Sequence, residues 1–95
     1  MRYEIIFAPE AIEDLKRLSA RNRATIRDEV ERFLRFQPDQ VSQSRIKRLQ
    51  GLSRPQYRLR VGDILVFYDI KVEAVKILVI VEKAHAGTWL EEKGE

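Results

Sequence analysis

The 95-residue sequence contains no cysteine. That excludes disulfides and zinc sites built on thiolates. A single histidine, His85, argues against a metal centre built on imidazoles, so neither a metal nor a cofactor is expected. No apolar run approaches the roughly 20 residues that span a bilayer, and no membrane partner is expected. The chain opens directly on an alternating run, Tyr3 to Phe7, without the apolar core and cleavage site of a secretory leader. A cytoplasmic location is the expectation. Only three prolines and four glycines punctuate the chain, and no low-complexity linker separates one part from another. Residues 1–95 read as one domain. Acid is missing locally too: residues 45–60 contain Arg45, Lys47, Arg48, Arg54, Arg58 and Arg60 with no Asp or Glu.

What is present suits a folded chain, with 44% hydrophobic and 35% charged residues. The net charge of +3 is less informative than its distribution. Residues 1–35 hold eight basic and seven acidic side chains, and residues 61–95 hold four and seven. A concentrated positive segment on a near-neutral body is the footprint of a polyanion binder. It is also compatible with a solvated basic face, or with cations paired to acids from elsewhere in the fold.

Tyr3, Ile5 and Phe7 alternate as in a strand. Pro9 suits the first turn of a helix, with Glu10, Glu13 and Asp14 near its positive end. Ala11, Ile12, Leu15 and Leu18 form its apolar stripe. A second helix is predicted from about Arg23 to Phe36, with Ile26, Val30, Phe33 and Leu34 on one face. Residues 37–46 read as a loop, and Arg45 to Gln50 as a short turn. Tyr57, Leu59 and Val61 alternate with Arg58 and Arg60, and Gly62-Asp63 is a tight turn. Ile64–Ile70 and Val75–Val81 are nearly continuous apolar runs, as in strands buried on both faces. Glu82 to Glu95 reads as a loop and polar tail anchored by Trp89 and Leu90. The expected fold is α+β in the order β-α-α-β-β-β, an antiparallel-rich sheet with a helical hairpin packed on one face.

The other face is then partly open. Arg58 and Arg60 share it, about 7 Å apart by strand rise, close to the spacing of successive phosphates. Arginine is always charged and forks onto phosphate oxygens. The alternative is a row of solvent-facing strand charges that limits edge-to-edge aggregation.

Lys47-Arg48-Leu49-Gln50-Gly51, Tyr57-Arg58-Leu59-Arg60-Val61-Gly62-Asp63 and Val66-Phe67-Tyr68-Asp69 resemble the RelE/ParE toxin superfamily, and the RelE-like branch in particular. The opening Tyr3-x-Ile5-x-Phe7-x-x-x-Ala11 is similar as well, so the resemblance covers residues 3 to about 90. It implies the same β-α-α-β-β-β order and the toxin component of a type II toxin–antitoxin system. The implied activity is metal-independent endoribonuclease cleavage of mRNA on the ribosome, silenced by a cognate antitoxin. The implied catalytic residues are Arg58 and Arg60, with Lys83 and His85 as candidates for proton transfer. Lys47, Arg48 and Arg54 are candidate RNA contacts, and Trp89 either stacks a base or packs over the core. The sequence departs from the family pattern twice: Leu65 and Ala84 stand where arginines are usual. These departures leave one alternative, an RNA- or ribosome-binding module with weak chemistry; the fold shared across the superfamily leaves a second, a ParE-like inhibitor of DNA gyrase.

Overall fold

The computed structural model describes all residues, 1–95. The elements are β1 (Glu4–Phe7), α1 (Pro9–Arg17), α2 (Ala20–Leu34), β2 (Ile46–Arg48), β3 (Tyr57–Val61), β4 (Ile64–Lys71), β5 (Ala74–Glu82) and α3 (Lys83–Lys93). The five strands form one sheet in the order β1-β5-β4-β3-β2. β1 runs parallel to β5, and every other neighbouring pair is antiparallel. The expected α+β architecture is therefore observed, extended by one strand and one helix.

Local chemistry accounts for the helix boundaries. Pro9 occupies the start of α1, where its missing N–H breaks no bond. The Ser19 hydroxyl accepts the Asn22 backbone N–H at 3.1 Å and so caps α2. Arg23 closes the end of α1, donating to the carbonyls of Leu15 (3.0 Å) and Leu18 (2.9 Å). Between β3 and β4 the turn needs a positive φ at its first central residue, and Gly62 supplies it at 60°.

Alternation along the strands sorts side chains onto two faces. On the first face, Ala11 and Leu15 of α1 and Ile26, Val30 and Leu34 of α2 pack on Leu59, Val61, Val66, Tyr68, Val75, Ile77 and Ile80. Tyr68 is fully buried, stacks on Tyr57 at 5.6 Å and donates its hydroxyl to the Pro38 carbonyl at 2.6 Å. Burial pushes its phenol far above the ordinary tyrosine range.

The second face is where structure and expectation part. Residues 83–93 are helical rather than a loop and tail. α3 lies against β4 and β5, with Ala86, Trp89 and Leu90 packed on Leu65, Phe67 and Val79. β4 and β5 are central strands, as their composition implied, and the two layers of helices explain why both their faces are apolar. The predicted turn at 45–50 is the edge strand β2. A three-residue strand with one apolar side chain has almost no period of its own. It exists because Ile46, opposite Leu59, joins the core under α2.

β1 covers only the Ala74–Ile77 part of β5. Beyond it α1 flanks β5, and the Asp14 carboxylate accepts the Ile80 N–H at 2.9 Å, filling the role of an absent neighbouring strand. Desolvation raises the Asp14 pKa above its ordinary value of 3.8, with Glu10 adding to the rise, while the Ile80 N–H and Arg17 oppose it. No helix is long and apolar enough to cross a membrane.

Two substitutions test this edge. Asp14→Ala leaves the Ile80 N–H without its acceptor and is expected to lower stability by about 1–3 kcal/mol. Asp14→Asn keeps an acceptor oxygen. A carboxyl with a raised folded pKa favours the native state at low pH and loses that contribution as pH rises from 3.8 through the raised value. Denaturation midpoints across this range should therefore shift in favour of Asp14→Asn relative to the parent as pH increases.

Candidate nucleic-acid interface

α3 shields β4 and β5 but not β2 and β3, and the exposed strip is cationic. Leu59 points into the core, so Arg58 and Arg60 on either side of it point to the second face. Their cross-strand partners confirm this orientation. Arg58 stands opposite Phe67, and Arg60 opposite Leu65, both in the cluster beneath α3. On the other side Arg58 stands directly opposite Lys47 of β2.

Five ion pairs form in the chain, and none uses Lys47, Arg58, Arg60 or Lys83. Arg60 is held only by a 3.1 Å bond from its Nε to the Gly62 carbonyl. The next residue's carbonyl, that of Asp63, accepts the backbone N–H of Lys83 at 2.8 Å. The Gly62–Asp63 turn thus joins the end of the arginine strand to the first residue of α3. Like charges directly opposite on a ladder repel, so an unneutralised Lys47–Arg58 pair beside Arg60 is a ready seat for a polyanion.

The remaining sequence candidates are arranged differently. Arg48 donates to the Gln56 carbonyl at 3.1 Å and lies 5.1 Å from the Tyr57 ring centroid, on the first face. Arg54 pairs with Asp69 at 3.5 Å. Arg45, also in the basic stretch, pairs with Glu29 at 3.3 Å. Trp89 stacks on Phe67 with centroids 5.5 Å apart, and its indole N–H reaches Glu10 at 3.1 Å, so it packs the core from beneath α3. His85 is exposed and lines a crevice with Asp14, Arg17 and Leu18. This flank of α3 faces α1, away from the arginine strand. The structure therefore sets Lys47, Arg58 and Arg60 side by side, starts α3 with Lys83 against the Gly62–Asp63 turn, and separates His85 and Trp89 from the arginine strand. Leu65 is 5% exposed and belongs to the apolar cluster, while Ala84 is exposed. Nowhere do three or more His, Asp and Glu side chains gather as metal ligands would.

Asp69 was not singled out from sequence. It is 2% exposed and the only charged residue in the core. Its signal was present: a lone acid within the apolar run Ile64–Ile70 requires a partner.

The fold matches a known class. The chain is similar to the RelBE2 toxin–antitoxin complex of Mycobacterium tuberculosis, with a TM-score of 0.74, 26% identity, 88% of this chain covered and 94% of that one. The RelB–RelE antitoxin–toxin complex of Methanococcus jannaschii gives 0.64, 20%, 88% and 96%. The archaeal RelE–RelB complex of Pyrococcus horikoshii gives 0.65, 22%, 87% and 97%. None of the curated proteins matches the chain. The sequence model of the ParE toxin of type II toxin–antitoxin systems matches residues 5–86. The chain belongs to this toxin family, within the RelE/ParE superfamily.

The uncompensated Lys47–Arg58 pair has a measurable consequence. Lys47→Gln removes the repulsion and is expected to raise stability by a few tenths of a kcal/mol, less as salt is added. Thermal melts at low and high ionic strength check this.

Proposed function

We propose that this toxin is a metal-independent endoribonuclease that cuts mRNA on the ribosome. Its site is the strip formed by Lys47, Arg58 and Arg60, with Lys83 at the start of α3 beside the Gly62–Asp63 turn. The observation that supports this reading is the adjacency of Lys47, Arg58 and Arg60 on one face, with no carboxylate paired to any of them. In the proposed reaction the 2′-oxygen loses its proton to water and bonds to the adjacent phosphorus. The bond from phosphorus to the 5′-oxygen breaks, and that oxygen takes up a proton. Arg58 and Arg60 hold the phosphate and stabilise the charge that gathers on it. Lys47 carries the neighbouring phosphate, and we assign Lys83 to protonation of the departing oxygen. Contacts to phosphate position the strand without selecting its sequence. The reaction is set in the cytoplasm. The solved relatives are complexes of toxin with antitoxin. A cognate antitoxin that lays carboxylates over the same strip would silence the enzyme.

A second reading has its own support. Position 65 carries an apolar Leu65 packed beneath α3 in place of a cation, and His85 faces α1, so the strip has neither an arginine there nor the imidazole. On this reading the strip binds RNA or the ribosome and cleaves poorly.

Expression in a bacterium separates the readings. The nuclease arrests growth and leaves new 5′ ends on transcripts, read by primer extension. Arg58→Ala with Arg60→Ala should restore growth and lower cleavage by about 100-fold or more. Growth arrest with intact transcripts and a DNA-damage response would overturn the proposal in favour of a gyrase inhibitor. Binding without cleavage would favour the second reading.

A further inference from the structure

Asp69 sits on the same face of the sheet as Arg58. Arg58 faces Phe67 across the β3–β4 ladder, and Asp69 is two residues further along β4. Diagonal neighbours of this kind lie about 7–8 Å apart, within reach of a long side chain. A buried carboxylate and a forked guanidinium at that range form a strong pair when nothing else intervenes. Here something does. One Asp69 oxygen accepts the Gln56 N–H at 2.8 Å, and the other faces Arg54 Nε at 3.5 Å. The loop that carries Arg54 is fixed from behind. The Glu95 carbonyl accepts the N–H of Ser53 at 2.7 Å, and the Arg54 carbonyl accepts the N–H of Glu95 at 2.8 Å.

The geometry points to Arg54 as a positioning residue: by neutralising Asp69, it keeps Arg58 free for an RNA phosphate. This rests on the RNA-binding reading of the strip. It assigns Arg54, which is 48% exposed and resembles a surface RNA contact, a task inside the protein. In its absence Asp69 is left as a buried carboxylate diagonal to Arg58 on that face, and the arginine turns from substrate to its own sheet.

The test uses the full chain and two readouts. The first is binding of a fluorescein-labelled single-stranded RNA, followed by anisotropy. Arg54→Ala should weaken binding by about tenfold, the value of one charge-assisted contact. Arg54→Ala combined with Asp69→Asn should restore binding to about the level of Asp69→Asn alone, because a neutral amide at that position no longer attracts Arg58. Arg54→Lys, which keeps the charge, should bind like the parent. The second readout is the Arg58 Nε–H NMR resonance without RNA. It should move in Arg54→Ala and return in the double variant. If Arg54→Ala does not fold, Arg54→Gln takes its place with the same expected ordering. Equal weakening in the single and double variants would mean that Arg54 touches RNA itself and would overturn the inference. So would an Arg58 resonance that ignores Arg54→Ala. Should the parent bind no RNA, the RNA reading of the strip fails, while the resonance still reports whether Arg54 holds Asp69 away from Arg58.

Discussion

Burial of β4 and β5 on both faces is the constraint from which the rest of the architecture follows. Leu65, Phe67 and Val79 are buried on one face, and Val66, Tyr68 and Ile77 on the other. A sheet with two apolar faces needs two covers. The helices α1 and α2 form one, and the single helix α3 forms the other. One helix is about 10 Å wide and strands repeat every 4.8 Å or so, hence α3 spans two strands and leaves the next ones bare. β2 and β3 are those strands. The location of the cationic strip is thus a matter of widths as much as of charge.

Within the strip, the arrangement favours unpaired charge over local stability. Of the six cations between residues 45 and 60, Arg45 and Arg54 are matched to carboxylates. Arg48 is folded over Tyr57. Lys47, Arg58 and Arg60 have no acid. A domain of this size has a thin margin of stability, and side-by-side like charges narrow it further. With Arg45 and Arg54 paired to acids and Arg48 turned to the other face, the attraction for an anion is concentrated onto one short stretch of strand.

Much of this was legible in the residues. The alternation of Tyr57 to Val61 put Arg58 and Arg60 on one face, and the two unbroken apolar runs marked the central strands. Pro9 and the Ile26, Val30, Leu34 spacing marked the helices, although α2 begins and ends a little earlier than its apolar stripe suggested. The missed elements were those without a pattern of their own. β2 is a strand only by virtue of its neighbour. α3 has three inward side chains in eleven residues, a glycine in its middle and no capping side chain, so nothing in its sequence stands out as a helix. The site was read less completely than the fold. Charge alone could not tell a free arginine from a paired one, because the acids that engage Arg45 and Arg54 are Glu29 and Asp69, distant in sequence. Nor could it show on which side of a helix His85 would fall.

The stack of Trp89 on Phe67 has a practical corollary. The chain has one tryptophan, and it lies at the contact between the lone covering helix and the sheet. Its emission therefore reports on that contact with no second indole to confuse it and no added dye. Lifting the helix would move the indole from an aromatic neighbour into water and redden its fluorescence. Any ligand that pries the helix loose would register in the colour of the protein's own light, separately from global melting.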